Sequence, residues 1–142
     1  MLDWSPPVQA FVRAHRVARL ATVDDAGRPL VLPICYIVAG ETVYSPIDAK
    51  PKRVPVQRLK RLRNIQGNPH VALVIDDYGE DWTQLAYVIL HGTAAILTGG
   101  SLFEQAVTAL REKYPQYQHM PIQDNPMIAV HLTRAVSWGA VG

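Results

Sequence analysis

The densest chemistry in the chain is a short basic run, Lys50-Pro51-Lys52-Arg53. It stands at the predicted entry to a helix. Free amide donors and the positive end of the helix dipole there add to the side-chain charges, which suits a phosphate. Pro46 and Pro51 stiffen the loop and lower the entropy lost on gripping an anion. Ser45, ahead of the loop, offers a hydroxyl donor. The competing reading is a solvated charge run, the usual meaning of such a segment. Just upstream, Leu30-Val-Leu-Pro-Ile-Cys-Tyr36 is apolar on both faces. A phosphate cradle beside an apolar strand is what a flat ring with a phosphorylated tail requires.

Other chemistries find less support. His15, His70, His91, His119 and His131 include no pair at i, i+3 or i, i+4, so no metal site is expected. Cys35 lies inside the apolar strand, where a thiol behaves as a small hydrophobe. No Gly-x-Ser-x-Gly elbow supplies a serine nucleophile, and no side chain is nominated as catalytic. The acidic stretch 76–81 lacks the spacing of a calcium loop and reads as solvated. Trp82 follows it, either as a core anchor or as a platform for stacking on a flat ligand.

These residues need elements to position them. Ser5-Pro6-Pro7 predicts a capped helix running to about His15. Strands are predicted at 17–23, 30–38 and 41–45, joined by a turn at Asp24-Asp25-Ala26-Gly27 and another at Ala39-Gly40. Pro33 cannot donate to a ladder, so it implies an edge, a bulge or a ligand at that point. A helix with Pro55 near its first turn and Val56, Leu59, Leu62 and Ile65 on one side ends at Gly67-Asn68-Pro69. Strands at 71–75 and 82–97 follow, the latter with a bulge at Gly92. Ser101 and Glu104 read as a capping box that opens a third helix, stopped at Tyr114-Pro115, and a last strand runs over 127–138. Six strands with scattered helices predict a mainly β protein, a small antiparallel barrel with peripheral helices.

Composition bounds the partners. The 142 residues suit one domain, 1–142, and 49% hydrophobic with 18% charged residues excludes a disordered chain. A net charge of +2 is small for a nucleic-acid binder. One cysteine excludes an internal disulfide and favours a reducing compartment. The N-terminal residues lack the apolar core of a signal peptide, and no apolar run reaches the roughly 20 residues of a membrane span. The expectation is a cytoplasmic protein with neither a membrane nor a nucleic acid as partner.

The run Ala21-Thr-Val-Asp-Asp-Ala-Gly27-Arg-Pro29-Leu-Val-Leu-Pro33-Ile-Cys-Tyr36 resembles the opening hairpin of the pyridoxamine 5′-phosphate oxidase-like split β-barrel family. Lys50-Pro-Lys-Arg53, Leu59-Lys-Arg-Leu62-Arg-Asn64-Ile65 and Asn68-Pro69-His-Val71-Ala-Leu resemble its phosphate loop and helix. Asp77-Tyr78-Gly-Glu-Asp81-Trp82, Leu85 and Gly92-Thr-Ala94 are similar to a branch described as probable coenzyme F420-dependent enzymes. The resemblance is closest from Arg19 to Leu97. It implies an FMN-binding-like, six-stranded antiparallel split barrel. It also implies a homodimer with two cofactor sites, each built from both chains. The cofactor ring would lie along Leu32, Pro33 and Ile34, its phosphate near Lys50, Lys52 and Arg53, with the Ser45 hydroxyl added by the residue reading. A two-fold dimer that covers the apolar strands would place Trp82 of one chain, or its neighbours, near the ring bound along Pro33 of the other.

Two departures separate the chain from true pyridoxamine phosphate oxidases. Pro-Ile-Asp-Ala separates Ser45 from Lys50, where those enzymes have a tight Ser-Arg-Lys run. The terminal Ser137-Trp-Gly-Ala-Val-Gly142 offers no substrate-binding arginine and histidine. The reading is therefore an oxidoreductase that uses F420, with FMN as the alternative cofactor, acting on an unidentified small molecule. A carrier that binds the cofactor without turnover is the alternative of a different class.

Overall fold

The computed structural model describes residues 1–47 and 59–141. The elements run α1 (Pro6–Ala14), β1 (Ala18–Val23), β2 (Pro29–Ile34), β3 (Ile37–Ala39), β4 (Thr42–Pro46), α2 (Lys60–Gly67), β5 (His70–Asp77), β6 (Ala86–Leu97), α3 (Ser101–Lys113) and β7 (Met127–Gly139). Short 3-10 turns occupy Trp82–Gln84, Pro115–His119 and Ile122–Asp124. Ser5 caps α1 as expected, its side chain accepting from the Val8 amide at 3.4 Å, with prolines in the first turn.

All strands belong to one antiparallel sheet in the order β2-β1-β5-β6-β7-β4-β3. The two edge strands, β2 and β3, are consecutive in the chain with only Cys35 and Tyr36 between them. Two residues reach at most about 10 Å, so the sheet must curl until its edges nearly meet. The edges are not hydrogen-bonded to each other, and the result is an open, split barrel. Six strands become seven because the apolar segment 30–38 is interrupted at Cys35-Tyr36. There the Tyr36 amide leaves the ladder and donates to Tyr114 Oη at 3.0 Å.

Local chemistry explains two further corrections. The long sixth strand starts at Ala86 rather than Trp82, because Asp81 accepts from both the amide and the hydroxyl of Thr83 and holds 82–84 in a tight turn. The Ser101–Glu104 capping box does not form: Gly100 is the N-cap and Ser101 already lies inside the helix. Gly92 does mark a bulge, with the β6–β7 register shifting between His91 and Gly92. A Cβ at Gly92 would stand 2.3 Å from the carbonyl oxygen of His131, so only glycine fits. Gly27, at φ +80°, closes the β1–β2 turn. Pro55 and Val56 lie outside the described residues. Leu62 and Ile65 are buried on α2, and Leu59 packs beside them.

The core has two parts. Leu20, Tyr36, Leu73, Ile75, Val88, Leu90 and Ile128 fill the barrel under α1 and α2. Phe103 and Leu110 of α3 cover Ile37, Tyr44 and Met127 on the other side. A buried polar bond, Asn64 Nδ2 to Thr22 Oγ1 at 3.0 Å, fixes α2 to β1.

Candidate functional site

The site begins at edge strand β2. Pro33 sits opposite Arg19 of β1, with its other side unpaired, so the proline marks a sheet edge. Alternation splits the three nominated residues. Leu32 and Ile34 pack into the core, while Pro33 and Val31 point outward and are exposed. The outer face of the strand is therefore uncovered in the single chain.

Register continues that outer face across the sheet. Pro33 lies opposite Arg19, Arg19 opposite Val74, Val74 opposite Ile89, and Ile89 opposite Val136. A second row runs Asp76, Tyr87, Trp138. Val74, Asp76, Tyr78, Tyr87 and Ile89 line a shallow groove of about 360 Å³. Trp138 stacks on Tyr87 with ring centroids 5.5 Å apart. The sequence reading missed Tyr78, Tyr87 and Trp138. The outward positions of β5 and β6, partly apolar where a solvated face would be polar, were the available signal.

Trp82 is 81% exposed and Tyr78 68% exposed, so Trp82 is no core anchor within the chain. Both follow the end of β5, which runs to Asp77 and so takes Asp76 and Asp77 out of the expected loop, and carboxylates fasten the segment on either side. Asp76 pairs with Arg19 at 3.4 Å, and Asp77 meets His15 Nε2 at 2.7 Å. The Thr83 hydroxyl and then its amide hold the Asp81 carboxyl below its ordinary range. The acidic loop thus presents two aromatic rings on a braced support.

A polar groove of about 530 Å³ runs along α2 beside the β1–β2 turn, lined by Asp24, Arg28, Lys60, Arg63 and Asn64 among others. Asp24 organises it. Its carboxylate accepts from the Arg28 amide and Nε, both at 2.9 Å, from the Ala26 amide, and from Lys60 Nζ at 3.4 Å. The Arg28 amide, then its side chain, keep Asp24 far below the usual carboxylate range. Lys50, Lys52 and Arg53 lie outside the described residues. Ser45 is buried on β4 and donates to the Cys35 carbonyl at 2.8 Å, bracing the β2–β3 junction. A contact from Ser45 to a phosphate would require that proton to change partner.

Among the described residues no cluster of metal-ligating side chains occurs, and no helix is long and apolar enough to cross a membrane. The described residues thus offer an apolar, aromatic outer face able to lie against a flat ring and, separately, a polar groove whose Arg28 and Lys60 are engaged by Asp24.

Known proteins share this fold and family. A curated protein of Streptomyces rimosus, 5a,11a-dehydrotetracycline/5a,11a-dehydrooxytetracycline reductase, is 31% identical over 134 residues, spanning 93% of this chain and 80% of that one. Among solved structures, an F420 reductase superimposes with a TM-score of 0.68 at 20% identity, over 90% of this chain and 94% of that one. The haem-storage protein HutZ of Vibrio cholerae superimposes at 0.71 with 18% identity, over 95% and 93%. Those two likenesses show a shared fold. Residues 5–139 match the family described as pyridoxamine 5′-phosphate oxidase, and the chain belongs to that family.

Proposed function

We propose that this protein is an F420-dependent oxidoreductase. It would transfer a hydride between the deazaflavin ring and a small, flat organic substrate, as a homodimer with two shared sites. The observation that carries the reading is the uncovered outer face running from Pro33 to the Tyr78–Tyr87 groove. The reductase relative supports the redox class, and the F420 reductase of like fold supports the cofactor.

The residues fit such a group. An apolar edge strand and exposed aromatic rings suit a ring system, and Arg63, beside the Asp24-paired Arg28 and Lys60, lines the groove along α2. The bound deazaflavin would supply the hydride chemistry. The protein supplies position and field. Pro33 and Val31 would present the flat outer surface of β2, while Leu32 and Ile34 anchor that strand in the core. Lys50, Lys52 and Arg53 would hold the cofactor phosphate. Trp82 of one chain would cover the ring bound by the other, since within its own chain it meets no core. Dimerisation follows from the same face, which is too apolar for a solvated surface and would be covered by a second copy about a two-fold axis.

Titration with F420 and with FMN, followed by ring fluorescence, tests the reading. F420 should bind more tightly, and its reduced form should be consumed by an enone or quinone. Tight binding of FMN alone overturns the cofactor. Binding without turnover makes the protein a carrier. Lys52→Ala should weaken F420 binding by about 1.5–3 kcal/mol, the worth of a charge-assisted hydrogen bond. Full affinity in both Lys50→Ala and Lys52→Ala would remove the phosphate assignment.

A further inference from the structure

The groove on the outer face of the sheet combines aromatic rings with a carboxylate. Among the described residues five line it: Val74, Ile89, Tyr78 and Tyr87 are apolar or aromatic, and Asp76 is acidic. Strand register explains why they meet. Asp76 stands directly opposite Tyr87, and Tyr87 opposite Trp138, so the three side chains project from one face. The Trp138 stack on Tyr87 extends the ring surface away from the carboxylate.

The cation that Asp76 already meets comes from the other side. Arg19 belongs to β1, which flanks β5 on the edge away from β6, and its Nη1 lies 3.4 Å from Asp76 Oδ1. The two side chains keep 50% and 30% of their surface exposed, so the pair is weak and readily exchanged. Further carboxylates follow in the chain at Asp77, Glu80 and Asp81, with His15 on Asp77 and Thr83 on Asp81. On the β7 side Arg134 stands opposite His91, one outward position beyond Ile89.

Aromatic rings beside a carboxylate are the chemistry that recognises an organic ammonium. The rings attract the cation through their quadrupoles and cover its alkyl groups, while the carboxylate supplies the opposite charge. A neutral molecule of the same shape gains the apolar contact alone.

We propose that this groove binds the alkylammonium group of a flat organic molecule, and that Asp76 is the residue that selects the cation. The inference deepens the proposed function, whose site includes this groove, and rests on it only in calling that molecule a substrate.

The test uses two probes of like shape that differ in one charge, 3-hydroxyphenyltrimethylammonium and 3-tert-butylphenol. In calorimetric titration of the full chain without cofactor, at low ionic strength, the cation should bind at least about fivefold more tightly. Added salt should lower the ratio, because the site is partly open to solvent. Asp76→Asn should bring the ratio below about twofold, the loss of one opposite charge beside the cation. Glu80→Gln, outside the groove lining, should leave the ratio unchanged. Equal affinity for the two probes, failure of both to bind, or an equal fall of the ratio in both variants overturns the proposal. A parallel titration with F420 separates the two readings. Cation preference without F420 binding strikes the cofactor alone, and F420 binding without cation preference strikes the groove alone.

Discussion

Two sets of aromatic side chains live under opposite conditions in this molecule. At the β2–β3 junction Tyr36 and Tyr114 are 0% and 6% exposed, and their hydroxyls and backbone exchange hydrogen bonds with α1, Arg16 and each other. On the outer face of the sheet Tyr78 and Trp82 stand in solvent, and Trp138 stacks on Tyr87 without further cover. The inner set completes a structure that one chain can finish alone. The outer set is left facing solvent in the single chain, and the proposed function assigns it to a flat, apolar ligand. The same residue types thus separate the part of the molecule that completes the fold from the part to which binding is proposed.

The largest effect should come from the inner set. Tyr114 Oη accepts from the Tyr36 amide at 3.0 Å and lies 2.9 Å and 3.0 Å from the carbonyls of Arg16 and Tyr36, to one of which it donates. Burial pushes its hydroxyl up to about 12, so it stays protonated across the useful pH range. Tyr114→Phe leaves the buried Tyr36 amide without an acceptor and should cost about 1–3 kcal/mol. A lowered urea midpoint at unchanged slope would report it. Tyr87→Phe, on the outer face, should stay within about 0.5 kcal/mol. Equal losses at the two positions would break the contrast.

A smaller effect, opposite in sign, concerns Lys113, the last residue of α3, whose ammonium is lowered by burial and then by the charge of Arg16. A shift from 10.5 to about 8 is worth about 3 kcal/mol in full burial, and its solvent exposure reduces this to on the order of 1. The charged form is disfavoured in the native state, so Lys113→Met should stabilise the protein by that amount at pH 7. Between about 8 and 10.5 the unfolded chain keeps a proton that the native lysine has shed, so the unaltered protein gains stability there as pH rises. The advantage of the variant should therefore vanish by about pH 10.5. Burial raises Tyr36 and Tyr114, which makes stability fall above about pH 10 in both proteins, and this cancels in the difference. Urea unfolding across pH 7–11 checks both the sign and the window.

The two regions also differ in how far they can be read from the chain. Strands, turns and the Gly92 bulge are local, written in alternation and in glycine and proline positions, and the barrel follows from them. Pro33 as an edge is local in the same sense, because a missing donor restricts where a strand can sit. The break at Cys35-Tyr36 is not, since it depends on a hydroxyl 78 residues away. Lys113 beside Tyr36 and Arg16 is equally non-local, as is the capture of Ser45 by the Cys35 carbonyl. Trp82 allowed two readings because a loop tryptophan can turn inward or outward, and the Asp81–Thr83 turn decides between them.

The smallest effect on folding, and the sharpest on binding, belongs to Trp82. Trp82 is 81% exposed on a three-residue turn and joins neither part of the core. Trp82→Ala should leave the unfolding free energy within about 0.5 kcal/mol when measured on dilute monomer. The turn itself should persist, because Asp81 and Thr83 make it without the ring. If the ring of one chain covers the cofactor of the other, the same change should weaken F420 binding by about 0.5–1.5 kcal/mol, the value of an aromatic stacking pair. If the chain dimerises as proposed, apparent stability should also fall with dilution in both proteins, since assembly is linked to folding by mass action. Fluorescence titration beside urea unfolding at two protein concentrations separates the terms. Unchanged affinity with unchanged stability would leave Trp82 as a solvated loop residue. A stability loss above about 1 kcal/mol in the monomer would place the ring among the inner set and erase the division between the two faces.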